Sequence, residues 1–170
     1  MDKLHIRDEV PADIDAVRAV ETAAFGRPEE AQLVDLLRTN GVAVISLVAE
    51  WEGGIAGHIL FSPVTADDAP QARLLGLAPV AVAPGQQRGG IGGALIRAGL
   101  ARAESLGCDG VVLLGHPEYY PRFGFVPASR FGICCEYDCP DEAFMALPLR
   151  EGGLAGVTGL VRYAPEFGMV

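Results

Sequence analysis

No stretch of this 170-residue chain approaches the ~20 apolar residues that a membrane-spanning helix requires. The opening Met1-Asp2-Lys3-Leu4-His5 has no apolar h-region, so no secretory signal and a cytoplasmic location are expected. Basic residues are scarce: 13 Lys and Arg stand against 22 Asp and Glu, for a net charge of −9, and the basic ones do not cluster. A nucleic-acid binder carries a basic patch, so nucleic acid is not the expected partner. An acidic chain suits a cationic substrate such as an amine. The four cysteines, Cys108, Cys134, Cys135 and Cys139, include no Cys-x-x-Cys pair, and no histidine follows the last of them. That argues against a metal and for free thiols buried on a strand. Internal repeats, linkers and low-complexity tracts are all missing, and the length suits one domain over residues 1–170.

What is present reads as α/β. Leu4 to Arg7 alternates like a short strand. Ile14, Val17, Val20 and Ala24 then recur at helical spacing until Arg27-Pro28. A second helix runs from Glu29 to Arg38 with Leu33, Leu36 and Leu37 inward, and Asn40-Gly41 ends it. Val42 to Trp51 and Ile55 to Val64 form a hairpin across Glu52-Gly53-Gly54. Thr65 to Gln71 is polar and reads as a loop. Leu74 to Ala83 is a central strand, apolar on both faces, in which Pro79 must break or bulge the pairing. A helix from Gly90 to Leu106, a strand at Val111 to Leu114 and a short helix at His116 to Phe123 follow. Phe125, Ile133 to Tyr137 and Phe144 to Leu149 close the sheet, and Gly152 to Val170 packs on the body. The sum is a mixed central sheet flanked by helices.

The segment Val80-Ala81-Val82-Ala83-Pro84-Gly85-Gln86-Gln87-Arg88-Gly89-Gly90-Ile91-Gly92-Gly93 carries the chemistry. An apolar strand stops at Pro84, and a glycine-rich loop opens directly into a helix. Such a junction leaves backbone N–H groups unpaired at the positive end of a helix dipole, where a pyrophosphate fits. Six glycines between positions 85 and 99 would weaken a turn that served structure alone. A nucleoside-triphosphate loop would need Lys and then Ser or Thr after Gly90, where the chain has Ile91 and Gly92. A dinucleotide fingerprint started at Gly90 ends on Leu95 rather than Gly or Ala.

Gln87-x-x-Gly90-x-Gly92 after Val82-Ala83-Pro84 resembles the acyl-CoA pyrophosphate loop of the GNAT superfamily of N-acetyltransferases. Tyr119-Tyr120-Pro121-Arg122-Phe123-Gly124-Phe125 is similar to that family's Tyr-x-x-x-Gly-Phe element, and Ile6-Arg7 through Phe25 to its opening strand and helix. The resemblance implies a mostly antiparallel sheet with a bulged central strand, acetyl-CoA as co-substrate and no metal. It implies contacts to the co-substrate from Val80, Val82, Gln87, Arg88, Gly89, Gly90, Gly92 and Gly93, with Val80 meeting the acetyl carbonyl and Val82 the pantetheine amides. Tyr120 stands where the family places its general acid.

Acyl transfer from a thioester also requires that the amine lose its proton. Glu21, Glu50, His58, His116 and Glu118 are all candidate bases. Histone-type members carry a glutamate six residues before the position of Val82, and this chain has Gly76 there, which turns the resemblance away from protein-lysine acetylases. The residues before Gln87 also depart from the family's commoner acidic-aromatic pair, being Gly85-Gln86. The expected reaction is acetyl transfer to a primary amine of a small molecule or peptide. The alternatives are a non-catalytic acyl-CoA sensing domain and an unrelated nucleotide binder. A homodimer is compatible with the resemblance, and no membrane partner is expected.

Overall fold

The computed structural model describes residues 3–170. Among the described residues, nine strands form one sheet: β1 (Leu4–Asp8), β2 (Ile45–Trp51), β3 (Gly54–Ala66), β4 (Ala69–Val82), β5 (Gly110–Leu114), β6 (Val126–Pro127), β7 (Ile133–Cys135), β8 (Phe144–Pro148) and β9 (Gly159–Arg162). The order is β1-β2-β3-β4-β5-β8-β6, and β9 pairs with both β3 and β7. Only β4–β5 and β7–β9 are parallel among the pairs whose register is defined. Three α-helices accompany the sheet: α1 (Ile14–Phe25), α2 (Glu29–Thr39) and α3 (Ile91–Ser105). Contacts divide the chain into two compact units, and β3, β4 and α3 contribute residues to both.

In the first unit, β1, β2 and the first part of β3 form an antiparallel ladder whose hairpin turns through Glu52 and Gly53, both at positive φ. That is the conformation of a type I′ turn. Val17, Leu37, Val48, Ile59, Phe61 and Leu95 fill its core. Two glycines let α3 lie close to β3. A Cβ on Gly57 would come within 2.9 Å of the Leu95 side chain, and one on Gly99 would fall on the Phe61 ring. At the start of α1, Arg7 donates twice to the Asp13 carboxylate, at 2.7 and 2.9 Å. The Val10 amide donates to the same carboxylate at 2.8 Å. These donors, Arg7 foremost, hold Asp13 down at about 2.

In the second unit, Val111, Val112, Phe125, Met145 and Val161 form the core. The β4–β5 ladder covers Leu74, Leu75 and Gly76 opposite Gly110, Val111 and Val112. Beyond Gly76, β4 runs on for another six residues, Leu77–Val82, without β5 as a partner. The break from β5 therefore sets in after Gly76, earlier than the Pro79 expected, and the Ala78–Pro79 peptide is cis.

Several sequence expectations need correction. Thr65 to Gln71 is not a loop. Thr65 and Ala66 pair with Arg162 and Val161 of β9, Arg162 binds Asp67, and β4 begins at Ala69. Val42 to Val44 does not extend β2, because the Val42 amide caps α2 through the Leu37 carbonyl. The helix expected from His116 shrinks to a 3-10 turn, Tyr120–Phe123, with left-handed Gly124 closing it. The thiols are not uniformly buried: Cys108 is, Cys134 is exposed, and Cys135 and Cys139 are half-buried. Only Cys134 and Cys135 lie on a strand, the three-residue β7, where Ile133 faces inward and Cys134 outward; Cys108 and Cys139 lie outside the strands.

Candidate active site

The glycine-rich loop lies in the first unit. A 3-10 turn, Pro84–Gln86, follows β4, and the Ala83 amide ties its start to the Ala56 carbonyl of β3 at 2.8 Å. Gln87 anchors the loop from its other side, donating from Nε2 to the Val82 carbonyl at 3.0 Å. The Gln87 side chain is thus a brace, which leaves its backbone amide for a ligand. Arg88 and Gly90 both take positive φ, +71° and +86°. This reverses the chain tightly enough to open α3 at Ile91.

The amides that follow are unspent. Among the described residues, the backbone N–H groups of 87 to 93 have no partner, and the first amide to bond is that of Ala94, to the Gly90 carbonyl at 3.0 Å. Residues 87 to 90 are exposed, and the Arg88 guanidinium makes no ion pair or hydrogen bond among the described residues. A run of free donors at the N-terminus of a 15-residue helix, with a cation beside it, is an anion cradle. Gln87, Arg88, Gly89, Gly90, Gly92 and Gly93 all fall in it. Val80 and Val82 stand half-buried on the last turn of strand before it.

Tyr120 lies in the second unit, at the first position of the 3-10 turn. Its ring is held on three sides. Tyr119 stands edge-on with centroids 5.1 Å apart, Phe125 at 6.1 Å, and Gly115 leaves no room for a Cβ against it. The hydroxyl has no hydrogen-bond partner among the described residues, which leaves it available to a ligand. Burial, with Tyr119 adding to it, pushes the phenol up to about 12. Tyr119 is differently placed: Arg122 stacks over its ring at 4.3 Å.

The candidate bases separate. Glu50 is ion-paired to Arg7. His116 and Glu118 are exposed in the turn before Tyr120. Glu21 and His58 come together in the first unit, both completely buried, with Oε2 and Nδ1 2.7 Å apart. Sequence reading treated these two separately. Their signal was positional: Glu21 shares the inward face of α1 with Val17 and Val20, and His58 interrupts an apolar strand. At the family's glutamate position, a Cβ on Gly76 would meet Tyr163 at 2.7 Å and Val64 at 3.0 Å, so no base fits there.

The family model described as the acetyltransferase (GNAT) family matches residues 14–125, which holds the cradle and the Tyr120 turn together. The chain belongs to the GNAT acetyltransferase family. It is 43% identical over 144 residues to the uncharacterized N-acetyltransferase YjhQ of Escherichia coli K12, covering 81% of this chain and 77% of that one. To the uncharacterized N-acetyltransferase YhbS of the same strain it is 36% identical over 163 residues, 95% of this chain and 97% of the relative. The crystal structure of Escherichia coli YhbS in complex with CoA matches with a TM-score of 0.92 at 35% identity, over 98% of this chain and 92% of that one. A GNAT acetyltransferase from Brucella melitensis, solved with acetyl-CoA, matches with a TM-score of 0.80 at 38% identity, over 96% and 97% of the two chains. The mixed, mostly antiparallel sheet expected from the sequence is the GNAT fold. The family is one of acetyltransferases, and this chain is an enzyme of it. Among the described residues, no helix is long and apolar enough to cross a membrane, and no group of three or more His, Cys, Asp or Glu is placed to hold a metal ion.

Proposed function

We propose that this GNAT enzyme, one N-acyltransferase domain over residues 1–170, moves the acetyl group of acetyl-CoA directly to a primary amine of a small molecule or peptide. The observation that carries the reading is the run of unpartnered amides from 87 to 93, beside the free Arg88 and ahead of α3. Relatives of 35% and 38% identity solved with CoA and acetyl-CoA support the same co-substrate. The cradle amides hold the pyrophosphate, where fixed donors lose no reorganisation energy. Val82 presents its backbone to the pantetheine arm, and Val80 offers its amide to the acetyl carbonyl, where charge develops as the amine attacks. Tyr120 donates a hydrogen bond to the departing sulfur. With its phenol at about 12, it stays protonated across the physiological range.

An amine attacks only when neutral, and an alkylamine near ~10.4 is mostly protonated at neutral pH. The acidic balance of the chain, net −9, suits such a cation. Gly76 in place of a glutamate argues for acceptors other than histone-type lysines. Acceptor selection is assigned to residues 25–32 and 132–141, and the compartment to the cytoplasm. The test is release of CoA from acetyl-CoA across a panel of polyamines, aminoglycosides and N-terminal peptides, with product masses read in parallel. A mass gain of one acetyl group on a primary amine is the expected result. Tight acetyl-CoA binding with no transfer to any amine would reject this reading in favour of a sensing domain.

A further inference from the structure

Three of the four thiols gather in the second unit, at a place that acyl transfer leaves unused. Cys134, Cys135 and Cys139 line a surface cavity of about 230 Å³ together with Ser129, Asp138 and Asp141. Cys134 and Cys135 are neighbours on β7, where Cys134 is exposed and Cys135 half-buried. Successive side chains of a strand point to opposite faces, so these two diverge. Cys139 stands four residues beyond Cys135, across a bend, and the side chains of Cys135 and Cys139 share a hydrogen bond.

The bend is held from both sides. Before it, the Tyr137 amide folds back onto Cys135 Sγ at 3.4 Å, and the Glu136 carboxylate accepts from the Tyr163 amide, just past β9, at 2.6 Å. The Tyr137 ring lies against that of Tyr163, with centroids 5.9 Å apart. After it, the Pro140 carbonyl accepts from the Ala143 amide at 3.0 Å, and Ser129 Oγ donates to Asp141 at 3.0 Å. The meeting of the two thiols is therefore fixed by the backbone around them. Among the described residues, no third His, Cys, Asp or Glu is placed to complete a metal site with them, so the chemistry the pair offers is that of a dithiol.

We propose that Cys135 and Cys139 are a reversible thiol–disulfide site, oxidised by a low-molecular-weight disulfide of the glutathione class. The site stands apart from the acyl-transfer reading, which needs no thiol. Burial, above all, pushes the Cys135 thiol up to about 11, so Cys135 stays protonated and is the poorer first nucleophile. Cys139 therefore attacks first. Its thiolate, having given its proton to solvent, bonds to one sulfur of the oxidant. The oxidant's S–S bond breaks, and one glutathione leaves as a thiolate that takes up a proton from solvent. The Cys135 sulfur then attacks the Cys139 sulfur, and its proton goes with the second departing glutathione. Two protein thiols become one disulfide, two electrons pass to the oxidant, and two glutathione thiols are released.

The second attack is intramolecular. Contact between the thiols gives Cys135 an effective concentration far above that of any free thiol competing for the mixed disulfide. A thiol held protonated also gains nothing from ionisation in the reduced state, which leaves the disulfide the more favoured form. The bond closes a ring of residues 135–139, inside the segment 132–141 to which acceptor selection is assigned above.

The test equilibrates the reduced full chain with about tenfold more glutathione than glutathione disulfide, a poise at which a lone thiol stays mostly free. The sample is quenched in acid, denatured and labelled with N-ethylmaleimide. The intact mass should show two labels in place of four, with two hydrogens lost. Fragmentation of the tryptic peptide 131–150 should put a label on Cys134 and the bond between Cys135 and Cys139. Dithiothreitol should restore four labels, Cys134→Ser should keep the bond, and Cys139→Ser should abolish it and carry three labels. Four labels on the parent overturn the proposal. So does a bond that runs through Cys134, within one chain or between two copies, or a Cys139→Ser chain that still loses two hydrogens.

Discussion

Replacing Tyr120 by Phe removes one oxygen and leaves the packing whole. Tyr120 packs through its ring, against the rings of Tyr119, Phe123 and Phe125, with centroids 5.1, 6.4 and 6.1 Å away, and against the backbone at Gly115. The hydroxyl has no hydrogen-bond partner among the described residues, so its loss costs the fold no more than about 0.5 kcal/mol. The alkaline side changes in a defined direction. A phenol raised from 10 to about 12 supports the folded state fully below pH 10 and loses that support as pH rises to 12, up to about 2–3 kcal/mol. The Phe variant has no such step.

Catalysis should respond far more than stability. At about 12 the phenol is a weaker acid than a thiol near ~8.5, so a complete proton transfer to sulfur would run uphill by about 5 kcal/mol. On the proposed mechanism Tyr120 therefore acts as a hydrogen-bond donor to the charge developing on sulfur, an interaction present in the transition state and weak before it. Losing one such donor lowers turnover by roughly 10²-fold. The assay is threefold: a thermal melt, acetyl-CoA affinity by calorimetry, and kcat on an active amine. Unchanged melting and affinity with kcat down about 10²-fold is the expected pattern, and Tyr119→Phe should do less. Equal turnover of Tyr120→Phe and the parent refutes the assignment.

Placing a bulky residue at Gly92, in the first turn of α3, should abolish acetyl-CoA binding by calorimetry while the circular dichroism spectrum stays close to the parent's. Asp13→Asn removes the negative charge and one of the two oxygens that accept from Arg7 and the Val10 amide; it should lower stability near pH 7 by about 1–3 kcal/mol in denaturant titration. Because Asp13 is held at about 2 against 3.8, the parent loses this support as pH falls from 4 to 2, and the variant does not. Ser or Ala at each of Cys108, Cys134, Cys135 and Cys139 should leave turnover within about twofold, as direct transfer needs no thiol; an acetylated cysteine trapped without acceptor, and discharged by amine, would show a ping-pong route instead.

The cradle was legible because its signal is local. Loss of strand pattern, glycine at fixed offsets and a helix start all lie within one short segment, and local backbone geometry follows from local sequence. The Tyr120 turn was legible for the same reason, though its helix proved to be one 3-10 turn, since Pro121 and left-handed Gly124 confine it. Long-range partners were not legible. Asp67 and Asp68 are a turn, but the flanking Thr65 and Ala66 read as loop because nothing nearby reveals that they pair with Arg162 and Val161, some 95 residues away. The Glu21–His58 pair was hidden likewise. Each residue alone looked like one polar group on an apolar face, and only the register of Val48 opposite His58 and Ser46 opposite Leu60 brings a serine to the imidazole. Residues that hydrogen-bond across three elements leave no periodic trace.

Calorimetric titration of the purified parent protein with acetyl-CoA tests the central claim most directly. The free amides of 87 to 93 predict one binding site per chain, competed by CoA and indifferent to ATP and NAD. Absence of heat with acetyl-CoA and CoA, or equal displacement by ATP, would contradict it.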